Sequence, residues 1–202
     1  VLKYGEKFYY FINDTLAYTS SLAVHEGNVY AGIWSLNAGI TVKDVSFVDY
    51  AENVDGLKAE MTGMGYAMIE IAEYVAGGEI TGPTVCALGE ECTITLSVNI
   101  GARLQSVTLN GADVTEQVKS SIANGKFTLK IEDNAAVDYS FERLTEGDGT
   151  YQVSGTVTDV FSAAAVSGAE ITLVGKNSAD LFYTLTSDAK GEFSLLLPED
   201  EY

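Results

Sequence analysis

The sequence predicts an all-β chain, built as tandem small β-sandwich modules of which the first and the last are incomplete. Three observations predict it. Short runs of alternating apolar and polar residues recur along the chain, the period of a half-buried strand rather than of a helix. Paired Asn, Asp and Gly residues separate the runs, and 20 Gly and 12 Tyr against 2 Pro suit short strands joined by tight turns. The last fifty residues read as most of one sandwich and then stop after an unpartnered strand. The 202 residues suffice for two or three such modules, and a chain running from Val1 to Tyr202 in this way is expected to be a piece of a longer protein.

Residues 1–50 read as the end of one module. The run Lys7–Ile12, the pair Asn13-Asp14 and the run Thr15–Thr19 make a hairpin signature, because Asn and Asp tolerate the left-handed backbone of a tight turn. The run Asn28–Leu36, the turn Asn37–Gly39 and the run Ile40–Phe47 follow. This order resembles the C-terminal strands of a concanavalin-A-like or laminin-G-like jelly roll. Asn13-Asp14 stands where that family has Asn-Gly, and Val42 where it often has Phe. Residues 51–65 read as a linker, with one short helix over Val54–Met64 as the alternative; Gly56, Gly63 and Gly65 argue against a longer one.

Residues 66–144 read as a second module. Alternation through Met68–Val75 breaks at Gly77-Gly78. Thr84–Ala87 and Cys92–Val98 flank a short loop and read as a hairpin. Leu104–Leu109 leads to the turn Asn110-Gly111, and Asn124-Gly125 to Lys126–Ile131 and then Val137–Phe141. Gly77-Gly78, Leu104–Thr115 and Asn124–Leu129 resemble short surface repeats of secreted proteins from Gram-positive bacteria, which often accompany sugar-binding or cell-wall modules. Cys86 and Cys92 stand at opposing ends of the expected hairpin. A disulfide between them would add ~2 kcal/mol, two buried free thiols being the alternative.

Residues 145–202 read as a third, truncated module. The segments Val153–Asp159, Gly168–Leu173 and Thr186–Phe193 resemble the carboxypeptidase regulatory-like domain, a small transthyretin-like sandwich. The resemblance implies a fold and says little about function, since such domains serve as scaffolds in very different proteins. The first strand, Tyr151–Asp159, holds no Lys, so the internal Lys–Asn cross-link of related adhesin domains is not expected.

The formal net charge is −18. It is uneven: 3 basic against 5 acidic groups in residues 1–50, 6 against 14 in residues 51–145, and 2 against 10 in residues 146–202. Such a surface repels phosphate backbones and anionic bilayers, so neither nucleic acid nor membrane is an expected partner. The apolar runs fall far short of the roughly 20 residues of a membrane span, so no membrane insertion is expected. Solubility of an extracellular stalk is a sufficient reason for the acidity.

The inventory of reactive groups argues against catalysis. His25, the sole histidine, lies in a polar loop without a recognisable nucleophile beside it. No carboxylate pair among 29 acidic residues is singled out, and no glycine-rich turn precedes Lys-Ser or Lys-Thr. One histidine cannot supply a structural zinc site. No cofactor is therefore expected, with calcium the one ion considered, at the oxygen-rich Glu146–Gly149 and Asp133-Asn134. Carbohydrate binding is the sharpest functional expectation, because sugar faces stack on aromatic rings while amides grip hydroxyls. Its candidate residues are Tyr9, Tyr18, Tyr30 and Trp34 with Asn13 and Asn37.

Together these readings point to a non-catalytic, secreted or cell-wall-attached region of a bacterial surface protein. Its role would be adhesive and structural, displaying a carbohydrate-binding part toward a glycan or cell-surface ligand and contacting neighbouring modules of its parent chain. The accessory tail of a secreted carbohydrate-active enzyme is the alternative. A third reading is a subunit of an extracellular assembly joined by β-strand addition.

Overall fold

In the computed structural model the described residues are 2–4, 7–21, 53–147 and 149–202. The chain divides into two compact units, Val1–Gly65 and Tyr66–Tyr202. About 53% of it is strand against 10% helix, so the fold is all-β and sandwich-type.

In the first unit, β1 (Leu2–Tyr4), β2 (Lys7–Ile12) and β3 (Thr15–Ser21) form an antiparallel sheet with β2 in the middle. The β2–β3 turn is Asn13-Asp14, at φ 49° and 60°. Both residues are left-handed, as a two-residue turn matching the twist of its strands requires. A helix, α1 (Val54–Gly63), occupies the segment expected as a linker, where the alternative reading placed one. The Asn53 side chain starts it by accepting from the Gly56 N–H at 2.9 Å. Leu57 and Met61, one turn apart, are its buried residues. Gly65, at φ 85°, lies just past its end, where a left-handed residue stops a helix.

The second unit begins with β4 (Tyr66–Ile71), β5 (Gly78–Thr81), β6 (Val85–Ala87), β7 (Glu91–Val98), β8 (Ala102–Leu109) and β9 (Ala112–Asp113). A short helix, α2 (Thr115–Ser121), follows, then β10 (Lys126–Lys130) and β11 (Ala135–Arg143). They make two sheets, ordered β10-β7-β5 and β6-β4-β11-β8-β9. Strict alternation along β7 turns Cys92, Ile94, Leu96 and Val98 inward. These residues join Leu104 and Val107 of β8 and Val137 and Tyr139 of β11 in one apolar cluster. β4 and β11 pair in parallel, with Ala135 opposite Ile69, so one strand must return across the module to lie beside its first. Helix α2 packs beside β8 of one sheet and β10 of the other, and its Val118 is fully buried.

Gly77-Gly78, expected as a break between strands, is where β5 begins. A Cβ on Gly78 would stand 2.5 Å from Cζ of Phe141, and one on Gly77 2.5 Å from Cβ of the same residue. The two glycines let the Phe141 ring lie flat on the backbone, edge-to-face with Tyr139 at 5.7 Å.

The last four strands are β12 (Thr150–Thr156), β13 (Glu170–Val174), β14 (Phe182–Thr186) and β15 (Glu192–Pro198). β12 pairs with β15 and β13 with β14, both antiparallel, and no sheet among the described residues crosses from residues 66–144 into residues 145–202. Side chains join the two segments instead. The cluster that holds Ile94 and Phe127 also holds Leu181, Tyr183, Leu195 and Leu197, so residues 66–202 share one core. No helix among the described residues is long and apolar enough to cross a membrane.

Candidate functional site

The β2–β3 hairpin carries the described part of the expected sugar-facing surface. Tyr10 stands opposite Tyr18, and a bulge follows, so that Phe11 meets Leu16. The Tyr10 and Tyr18 rings lie 5.8 Å apart at a 40° tilt, and Ser20 Oγ reaches the Tyr10 hydroxyl at 3.5 Å. Tyr18 is 64% exposed, whereas Tyr9 is 2% exposed. Alternation sends Tyr9 to the opposite face from Tyr10; its ring is buried and unavailable for stacking. Asn13 lies at the exposed tip of the same hairpin, beside an exposed Ile12. Tyr30, Trp34 and Asn37 lie outside the described residues, as does His25. The arrangement is a tilted aromatic pair with an amide at the end of its turn, which can hold a flat, partly apolar ligand and offer it hydrogen bonds. Tyr10, not Tyr9, is the ring beside Tyr18.

The two cysteines sit differently from their expected hairpin. β6, with Cys86, pairs with β4, while β7, with Cys92, pairs with β5 and β10. The loop between them is tied to Ile131 instead: Gly89 N–H donates to Ile131 O at 2.7 Å and Ile131 N–H to Glu90 O at 3.1 Å. The pair therefore bridges the two sheets rather than two neighbouring strands. Both thiols are free in this structure, Cys86 half-buried and Cys92 buried. Burial, with Cys86 beside it, pushes the Cys92 thiol up to about 12.

A polar cleft of roughly 410 Å³ opens along the seam between residues 66–144 and 145–202. Arg103 and Lys119 line it on one side, Asn177 and Asp180 on the other. Asp180 is 7% exposed, and its carboxylate stands 3.9 Å from Lys119 Nζ. Burial raises its pKa, and the charges of Lys119 and Arg103 offset this only in part. A carboxyl whose pKa is higher folded than unfolded stabilises the fold fully below its unfolded value, and that contribution is lost as pH rises through the folded one. Asp180→Asn is therefore expected to raise the melting temperature near pH 7 and to leave it unchanged near pH 3. Calorimetry at both pH values checks this, and a lower melting temperature near neutrality would mean that the Lys119 ion pair dominates.

Of the oxygen-rich turns considered for calcium, Asp133-Asn134 is committed to the backbone. Asn134 Oδ1 accepts from Met68 N–H at 2.8 Å, and Asp133 Oδ1 from Asn134 N–H at 2.7 Å. No group of three or more His, Cys, Asp or Glu among the described residues is placed to hold a metal ion. A different feature, which the sequence did not single out, is the loop after β12. Val160 and Phe161 are 85% and 96% exposed, yet the loop is ordered by Asp159, which accepts from Ser162 N–H and Oγ at 2.8 Å and from Phe161 N–H at 3.1 Å. Those hydrogen bonds, from Ser162 first, hold the Asp159 carboxyl below its usual range.

The chain matches no protein-family model, no curated protein and no solved structure.

Proposed function

We propose that this chain is a non-catalytic, extracellular region of a bacterial surface or secreted protein that spaces and displays a carbohydrate-binding surface. The observation that carries this reading is the Tyr10–Tyr18 pair, in which Tyr18 is exposed and Tyr10 half-buried, on a two-residue hairpin with Asn13 at its tip. The exposed Tyr18 ring beside Tyr10 offers an apolar face to solvent, and a pyranose face is a partner of matching shape and polarity. The shared core of residues 66–202 suits a spacer, since a seam filled with buried side chains resists bending better than a flexible linker.

Titration of the chain with a panel of monosaccharides and cell-wall glycans, followed by NMR shifts of the hairpin amides, tests the reading. Binding that moves Tyr10 and Tyr18 resonances, is weakened about tenfold by Tyr18→Ala and survives Tyr18→Phe is the expected result. Shifts confined to other residues, or none with any glycan, would remove the hairpin as a sugar site.

A further inference from the structure

β12 is an edge strand with nothing to discourage a partner. Its one neighbour among the described residues is β15, and Val157 N–H, donating to Gly191 O at 2.8 Å, continues that register past the strand end. Alternation then turns the N–H and C=O groups of Tyr151, Val153 and Gly155 toward β15 and those of Gln152, Ser154 and Thr156 outward. The outward groups of these three residues meet no backbone partner among the described residues, whereas Thr150, next in line, is held by Gly147. Natural edges are usually guarded by Lys, Pro or a bulge. From Tyr151 to Val157 there is no charged residue and no proline, and the β12–β15 register runs without a bulge.

The side chains show the same open edge. Opposite residues of an antiparallel pair share a face, so Tyr151 and Val153 lie on the face of Leu197 and Leu195. The leucines are 4% and 3% exposed, but Tyr151 and Val153 remain 56% and 37% exposed. The apolar face of this sheet is covered at β15 and uncovered at β12. Beside it lies a hollow of roughly 750 Å³ whose apolar wall is Gly155, Phe193, Leu185 and Ile100.

We infer that β12 pairs antiparallel with β12 of a second copy of this chain, about a two-fold axis through Ser154. This register uses every free outward group: Gln152 pairs with Thr156 of the second copy, and Ser154 with its own counterpart. On the apolar face it sets Tyr151 against Val157 of the second copy and Val153 against its Gly155, at the mouth of the hollow. On the outer face it joins only uncharged polar side chains. A strand centred on Ser154 with these residues is self-complementary, as an interface between identical surfaces must be. Stable dimers bury about 1,200–2,000 Å², more than one strand edge supplies, so association is reversible and concentration-dependent. Each copy carries a charge of −18, so salt strengthens the dimer by screening their repulsion. The inference does not rest on carbohydrate binding by the hairpin.

Sedimentation velocity of the 202-residue chain from micromolar to sub-millimolar concentration, at low and high salt, is the test, with hydrogen exchange of the β12 amides alongside it. A salt-strengthened monomer–dimer equilibrium is expected, with protection of Gln152, Ser154 and Thr156 amides rising with concentration. Ser154→Lys, which sets like charges on the axis, and Ser154→Pro, which deletes an outward N–H, should each weaken it at least about tenfold. Phe161→Ser and Tyr18→Ala should leave it unchanged. A monomer at every concentration overturns the inference, as does a dimer indifferent to both Ser154 substitutions or one lost in Phe161→Ser.

Discussion

Tyr183→Ala is expected to destabilise residues 66–202 by about 3–5 kcal/mol, the cost of truncating a fully buried aromatic. Tyr183 has no exposed surface, and it crosses the seam: its hydroxyl, on β14, donates to Ala102 O at the start of β8 at 3.0 Å. Burial, with Tyr202 and Asp180 nearby, raises the pKa of this phenol, as fits a hydroxyl that acts as a donor in a dry site. The truncation therefore opens a cavity and orphans a carbonyl together. At roughly 2–4 °C per kcal/mol for a unit of this size, the melting temperature should fall by about 10 °C. Tyr183→Phe keeps the packing and leaves only the carbonyl unsatisfied, costing about 1–3 kcal/mol. The shape of the transition is the sharper readout. A shared core predicts one cooperative transition for residues 66–202 of the unsubstituted chain, with residues 145–202 melting first once the seam is emptied. Two transitions within residues 66–202 of the unsubstituted chain, with the upper one indifferent to Tyr183→Ala, would mean that the segments fold separately and merely touch.

That seam could not be read from the sequence, for a physical reason. Tyr183 alternates with Leu181 and Leu185 as any half-buried strand residue does, and alternation says that one face is covered without saying by what. The turns were legible because their chemistry is local. Asn13-Asp14, Asn110-Gly111 and Asn124-Gly125 all adopt the positive φ their residue types suggested, and the strands beside them lie close to where alternation placed them. Glycine was harder to read. Gly77-Gly78 looked like punctuation, but its missing side chains accommodate Phe141, a residue more than sixty positions away. Helix α2 carries no capping signal: Val114 stands at its N-cap without a side-chain bond, and the Asp113 carboxylate accepts from Thr115 N–H at 2.9 Å and Thr115 Oγ at 2.6 Å as a local turn. In the candidate site, alternation puts Tyr9 and Tyr10 on opposite faces but does not say which face is buried, and it is that of Tyr9.

Mild oxidation is expected to join Cys86 to Cys92 within one chain and to raise the melting temperature of residues 66–202 by roughly 4–8 °C. The two thiols stand six positions apart on strands of opposing sheets, with Cys86 beside Cys92, so the bond joins neighbours within one chain. The loop is short, and restricting it in the unfolded chain contributes about 2 kcal/mol. Two thiols give up two protons and two electrons, and oxidised glutathione takes both electrons as it is reduced to two thiols. The reaction should be slow at neutral pH. Cys92 is buried with its thiol pushed up to about 12, which leaves almost none of it as the reactive thiolate. Half-buried Cys86 is the sulfur an oxidant can reach first, and Cys92 then displaces glutathione from it. A mass loss of about 2 Da without dimer formation, faster at alkaline pH and abolished by Cys86→Ser, is the expected signature. A lasting glutathione adduct on Cys86, or a melting temperature that falls on oxidation, would show that the sheets cannot approach far enough to close the bond, and that the pair serves this core as two thiols.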